Sequence, residues 1–162
     1  QWRADETYIR VAGEWAYLYR AVDSVGATVD FYLSPTRDVA SARLFLRKAM
    51  AAVHRVEPLE IVVDGNPTYP IALRDLQRDE ILSGTCRCRC SHSENNLVEQ
   101  DHRAIQRRAD AKQHFRSFGG AGHTIAGYEA VHMLRKGQVD GCERGDAVSQ
   151  ARFVHWLLTL AE

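Results

Sequence analysis

Hydrophobic and polar positions alternate through the first third of the chain in the manner of strands. WRADETYIRV and EWAYLYRAVDS are rich in aromatic and β-branched residues and are parted by Ala12-Gly13. Ser24-Val25-Gly26 then separates the second run from ATVDFYLS, so three strands in an antiparallel meander are expected. The period next lengthens to that of a helix. Asp38 can cap a segment reaching to about His54, with Val39, Ala42, Leu46, Ala49 and Val53 on one apolar stripe. LEIVVDGN is a short continuous apolar run, which suits a strand covered on both faces. Asn66 as cap and Pro67 at the first helical position open a helix lasting to about Arg78. TCRCRCS predicts a fifth strand, and Ser93 to Asn96 supply caps for a helix over NNLVEQDHRAIQRR. Another helix is expected from about Gly120 to Lys136, stopped by Gly137. The last candidate helix lies in AVSQARFVHWLLTLAE.

The element order is therefore β-β-β-α-β-α-β-α-α. A meander joined to alternating units predicts an α/β fold: a ribonuclease-H-like, mixed five-stranded sheet with helices on both faces. The chain of 162 residues is long enough for one domain with a sizeable core. Expected boundaries are a core over 1–137 and a tail over 138–162 with a helix. A composition of 45% hydrophobic and 26% charged residues excludes a disordered chain. No apolar run is long enough for a membrane span, and charged residues in WRADETY stand where a signal peptide would be apolar. A cytoplasmic location with no membrane partner is expected. The 21 basic and 21 acidic residues balance, which argues against a polyanion-binding surface spread over the whole molecule but leaves local patches open.

Three of the four cysteines crowd into Cys86, Cys88 and Cys90, with Cys142 far along the chain. Alternate strand residues lie about 6.6–7 Å apart, too far for a disulfide in a flat strand. Cysteines on a half-buried strand are the favoured reading; a zinc site with His92 and Cys142 is the weaker alternative.

Three acids occupy positions where solvated surface acids are not expected. Asp5 lies inside the first strand, Asp64 ends a hydrophobic strand, and Glu99 sits one turn into a helix. Were the first and fourth strands parallel neighbours, Asp5 and Asp64 would meet, and a helix crossing the sheet could deliver Glu99. Hard oxygen ligands of this kind suit magnesium or manganese. Each acid also has an ordinary reading. Asp64 can open a turn through Gly65, Glu99 can pair with Arg103, and Asp5 can be hydrogen-bonded within the sheet.

Leu97, Val98, Ala104 and Ile105 form the core-facing side of the Glu99 helix, leaving Glu99, His102, Arg103 and Gln106 together on another. Arg107, Arg108, Lys112 and Arg116 extend a basic stretch beyond it, interleaved with His114, Phe115 and Phe118. Cations beside acidic metal ligands are what a phosphodiester substrate requires. A solvated basic helix end is the alternative.

WRADETYIRVAGEWAYLYRAVDSVGATVDFYLS, VVDGNPTYPIAL, NNLVEQDHRAIQRR and GYEAVHMLRKGQV resemble, in that order, the catalytic core of DDE transposases of the insertion-sequence six family. The likeness runs from Trp2 to about Val139. The 34 residues between Asp64 and Glu99 match the family's spacing of its second and third acids. The resemblance implies that Asp5, Asp64 and Glu99 are a catalytic triad holding two Mg2+ or Mn2+ ions. Such a pair, about 3.5–4 Å apart, clamps the attacking and leaving oxygens of an in-line displacement. It further implies metal-dependent cleavage at transposon ends, strand transfer into target DNA, and a homodimer or larger assembly. His102, Arg103, Gln106, Arg107, Arg108 and Lys112 become candidate DNA contacts, and Asn95 and Asn96 candidate supports for the Glu99 helix.

The chain departs from the family at three points. Gln106 stands where Lys or Arg is usual, CRCRCSHSE replaces the customary strand and Tyr-Leu, and the family's amino-terminal zinc-finger-like and helix-turn-helix region is not in this sequence. The alternatives kept open are a degenerate DNA-binding or dimerising module, and a ribonuclease-H-like nuclease that cleaves without joining.

Overall fold

The computed structural model describes residues 1–52, 57–91, 96–111 and 115–160. His92, Asn95, Lys112 and His114 lie outside the described residues, as does the expected end of the first helix at Val53 and His54.

Strands β1 (Trp2–Val11), β2 (Glu14–Asp23) and β3 (Thr28–Ser34) form the meander. Both residues of the β1–β2 turn have positive φ, Ala12 at 51° and Gly13 at 87°. That conformation gives a two-residue hairpin whose twist matches its strands. It pairs β1 with β2 over their full length, from Trp2 opposite Asp23 to Val11 opposite Glu14. After helix α1 (Val39–Ala52) the chain returns as β4 (Glu60–Val63), runs through α2 (Thr68–Arg78) and adds β5 (Arg87–Cys90). The sheet order is β3-β2-β1-β4-β5, with β4 parallel to both β1 and β5. Helices α3 (Asn96–Ala111), α4 (Phe118–Arg135) and α5 (Ala147–Thr159) follow.

The period of two in β1 divides the core. Trp2 and Ala4 face α1 and α2, where Tyr19, Phe45, Leu46, Ile61, Val63, Tyr69 and Leu76 close one apolar cluster. Ile9 and Val11 face the other way, with Leu18, Ile105, Phe115, Ala121 and Ile125 around them. The helices thus cover both faces of a five-stranded mixed sheet, as its element order predicts.

Two helix starts differ from the sequence expectation. The first helical residue of α2 is Thr68, with Pro67 as its cap. Asn66 still serves the end, because its Oδ1 accepts from the Thr68 backbone N at 3.0 Å and from Thr68 Oγ1 at 2.9 Å. Helix α4 begins at Phe118, since Ser117 takes the cap and its Oγ accepts from Gly120 N. At the other end Gly137 has φ +75°, and a Cβ there would lie 2.7 Å from Arg144 N, so glycine is required twice over.

The four cysteines are free, Cys86 and Cys142 buried and Cys88 and Cys90 exposed. No cysteine belongs to a ligating cluster among the described residues. No helix among the described residues is long and apolar enough to cross a membrane.

Candidate metal centre

The central parallel pair creates the site. Ala4 is aligned with Val63, so Asp5 and Asp64 are the next residues on neighbouring strands that run the same way. Ligands in open α/β sheets collect beyond the carboxyl ends of such strands. Gly65, at φ +107°, lets the chain turn away after Asp64. Asp64 Oδ1 accepts from Asn66 N at 3.1 Å, and Asp5 Oδ1 accepts from Glu6 N at 2.9 Å.

Glu6 completes the cluster. Asp5, Glu6 and Asp64 each offer an oxygen within 4.8 Å of the others. Asn66 Nδ2 donates to Glu6 Oε1 at 2.7 Å, and Arg37 donates to the same oxygen through Nε at 2.5 Å. Glu6 Oε2 is buried without a hydrogen-bond partner among the described residues. Burial first, and then the Glu6 and Asp5 charges, push the neighbouring Tyr69 hydroxyl well above its ordinary pKa. Although burial opposes its charge, Arg37 is raised as well, because the Glu6 carboxylate hydrogen-bonds to it and attracts it.

Helix α3 crosses the opposite face against β1 and β2. Its Val98 and Ile105 are fully buried and seat it there. His102 is buried, and its Nε2 lies 3.5 Å from Asp5 Oδ2. Neither ring nitrogen has a hydrogen-bond partner among the described residues. Gln106, one turn further on, donates through Nε2 to Thr7 Oγ1. Glu99 lies one turn before His102, half-buried, and is not a member of the carboxylate cluster. Arg103 and Arg107 are exposed. The side chain of Arg108 and all of Lys112 are outside the described residues. Five of the six candidate contact positions therefore lie on α3: His102 and Gln106 turned to β1, and Arg103 and Arg107 to solvent.

Two residues of this neighbourhood escape a reading of the sequence by motif. Glu6 is one, and its signal is an Asp-Glu pair inside a strand, which sends one acid to each face. Arg20 is the other, an arginine in the apolar run YLYRAV. It stands opposite Asp5 in the β1–β2 register, and its Nε lies 2.6 Å from Glu129 Oε1 on α4. Both side chains are fully buried.

The donor set fits a hard divalent cation. Three carboxylates converge, and among the described residues one of their buried oxygens lacks a hydrogen-bond partner and no cysteine joins the cluster. A ribonuclease-H-like sheet carrying one acid inside its central strand and another just past the end of the parallel neighbour defines the class to which this domain belongs. Comparison with known proteins makes the assignment narrower. A family model described as a DDE domain matches residues 1–138, and the chain belongs to that family.

Two Staphylococcus aureus transposases illustrate the likeness: that for the insertion sequence-like element IS431mec in strain N315, and that for the insertion sequence element IS257 in transposon Tn4003. Each is 36% identical over 136 residues, covering 84% of this chain and 58% of its own length. The chain thus spans little more than half of these relatives. Among solved structures, the HTLV-2 integrase catalytic core domain in complex with magnesium (trimeric form) aligns with a TM-score of 0.58 and 12% identity over 86% of both chains. The catalytic core domain of BIV integrase aligns with a TM-score of 0.54 and 12% identity, over 99% of this chain and 98% of that one. These likenesses support the ribonuclease-H-like fold.

Proposed function

We propose that this chain is the catalytic core of a DNA transposase, a polynucleotidyl transferase that cuts phosphodiesters at transposon ends and joins them to target DNA. The observation that carries the reading is the pairing of Ala4 with Val63, which sets Asp5 beside Asp64 while His102 draws the Glu99 helix to the same crevice. Family membership over residues 1–138 and the transposase relatives support it independently.

Asp5, Asp64 and Glu99 are the residues that would hold Mg2+ or Mn2+, two ions in the full site. When bound, the metal supplies Lewis-acid activation of the attacking oxygen and neutralises charge on the phosphodiester. The chain's own residues arrange the rest. Asp5 and Asp64 are fixed by backbone donors from Glu6 and Asn66. Glu99 rides on a helix held by Val98 and Ile105, and it would have to turn toward Asp5 and Asp64 to share a metal with them. His102 sets the distance between that helix and Asp5, and Gln106 ties the helix to Thr7. Arg103, Arg107, Arg108 and Lys112 would take the phosphates flanking the reacting one. The DNA partners are transposon ends and target DNA. Bringing two ends together calls for a homodimer or higher assembly.

The test is a joining assay with pre-cleaved end DNA and Mn2+, run alongside calorimetric titration of the metal. Asp64→Asn should lower cleavage and joining by roughly a thousand-fold or more, with the far-ultraviolet spectrum unchanged. Unaltered activity in that variant would remove Asp64 from the mechanism. Cut products without joined strands would point to a nuclease. Failure of Mn2+ to bind the folded chain would leave a non-catalytic DNA-binding module.

A further inference from the structure

The sheet face that carries Glu6 continues into a row of aromatic rings and arginines that the proposed chemistry does not use. Positions 6, 8 and 10 of β1 share that face, and the register sets Tyr17 opposite Tyr8 and Trp15 opposite Arg10. Helices α1 and α2 bury the near part of the face, where Tyr19, Phe45 and Tyr69 are fully covered. Beyond them Tyr8 is 47% and Trp15 53% exposed. Tyr8 meets Trp15 edge-on at 5.9 Å and Tyr17 at 5.3 Å. The Arg10 guanidinium lies 4.4 Å from the Trp15 ring centre, and that of Arg37 lies 5.9 Å from the Tyr8 ring. Arg37 is also the residue that grips Glu6. The row is therefore continuous with the carboxylate cluster at one end and cationic along its length.

Distance restricts what can lie on it. Tyr8 is two strand residues from Glu6, about 7 Å, and Trp15 with Arg10 are about 13 Å away. An unpaired strand that passes the Glu6 end of the carboxylate cluster would lay its next few nucleotides over these rings. In a paired duplex the base faces are occupied by one another, so a ring can be stacked only if the base is splayed out. Arginine beside tryptophan and tyrosine is the combination that holds unpaired bases irrespective of sequence.

We infer that Tyr8, Trp15, Arg10 and Arg37 form a stacking platform for unpaired DNA bases a few nucleotides from the reacting phosphodiester. The inference rests on reading the chain as a DNA-processing core, and its test separates the two. The probe is a short oligothymidylate compared with an abasic strand of the same length, which carries the same phosphates and no rings. In a Trp156→Phe variant of the full chain, Trp15 is the exposed indole and Trp2 is buried, so quenching reports Trp15. Oligothymidylate should quench that emission and bind about ten-fold or more tighter than the abasic strand.

Tyr8→Leu and Trp15→Leu keep apolar bulk and remove the rings. Measured by anisotropy of a labelled strand, each should lose most of the preference while binding the abasic strand as before. Trp15→Phe, which retains a ring, should keep part of it. Equal affinity of the unsubstituted chain for the two strands overturns the platform, as does a preference that survives in both leucine variants. Joining of pre-cleaved ends is read separately. Preference without joining upholds the platform and counts against the transferase reading; joining without preference overturns the platform alone.

Discussion

Arg20 and Glu129 show what one residue contributes here. A fully buried guanidinium calls for a carboxylate, and Glu129 meets that of Arg20 at 2.6 Å with a second contact, Nη2 to Oε2, at 2.9 Å. Removing Arg20 strands the Glu129 carboxylate in an apolar interior, which costs about 3–5 kcal/mol. Arg20→Met should therefore shift the urea midpoint sharply downward, and Arg20→Met with Glu129→Leu should recover most of the loss. Additive destabilisation in the double variant would show that the two do not act as a pair. Arg20 also faces Asp5 across the β1–β2 ladder, so the pair places a compensated cation beside the acid cluster. Motif reading singles out Asp5, Asp64 and Glu99 as candidates because their types and spacing are distinctive. It misses Glu6, whose partners Arg37 and Asn66 are remote along the chain and adjacent only after folding.

At the scale of elements, the helix starts illustrate how local chemistry reaches stability. Asp38 accepts from Ser41 N at 2.8 Å and so satisfies one of the free amides that open α1. That backbone bond, and then the Ser41 hydroxyl, hold the Asp38 carboxyl below its ordinary range. A carboxylate depressed on folding contributes stability above its unfolded pKa of about 3.9, and the contribution fades as pH falls through the lower folded value. Asp38→Ala should cost about 1 kcal/mol at pH 7, and its thermal melt should converge with that of the unsubstituted chain in acid, once the pH falls below the lowered folded value. A gap of equal size in acid and at neutrality would assign the effect to something other than the charged cap. The same logic explains the outer strand. β5 is an edge, and Arg89 pairs with Glu60 of β4 at 3.0 Å, leaving a charged row that discourages pairing with another sheet. Cys88 and Cys90 sit on that edge as exposed free thiols.

At the scale of the whole molecule, α5 stands apart from the two apolar clusters. It is well capped, since Asp146 Oδ1 accepts from Val148 N and Ser149 N, yet none of its residues is buried. The family match also ends at residue 138, before this helix begins. Stability resides in the sheet and its four covering helices, so deleting residues 147–160 should leave the melting temperature within about 2–4 °C of the intact chain. A collapse of the cooperative transition in the truncated protein would show that α5 belongs to the folding unit.

Much of this architecture is present in the one-dimensional pattern. Alternation over the first three strands, the apolar run before Asp64 and the helical period after it determine the element order, because each reflects whether a side chain faces core or water. The spacing of Asp64 and Glu99 carries the resemblance for the same reason, being local to two successive units. Tertiary structure decided the remainder. Parallel pairing of β1 with β4 set Asp5 beside Asp64, the two faces of β1 sent Asp5 to His102 and Glu6 to Arg37, and the limited reach of α1 and α2 left Tyr8 and Trp15 open. Those outcomes depend on which strand lies next to which and how far a helix covers it, quantities set by long-range contacts that no stretch of neighbouring residues encodes alone.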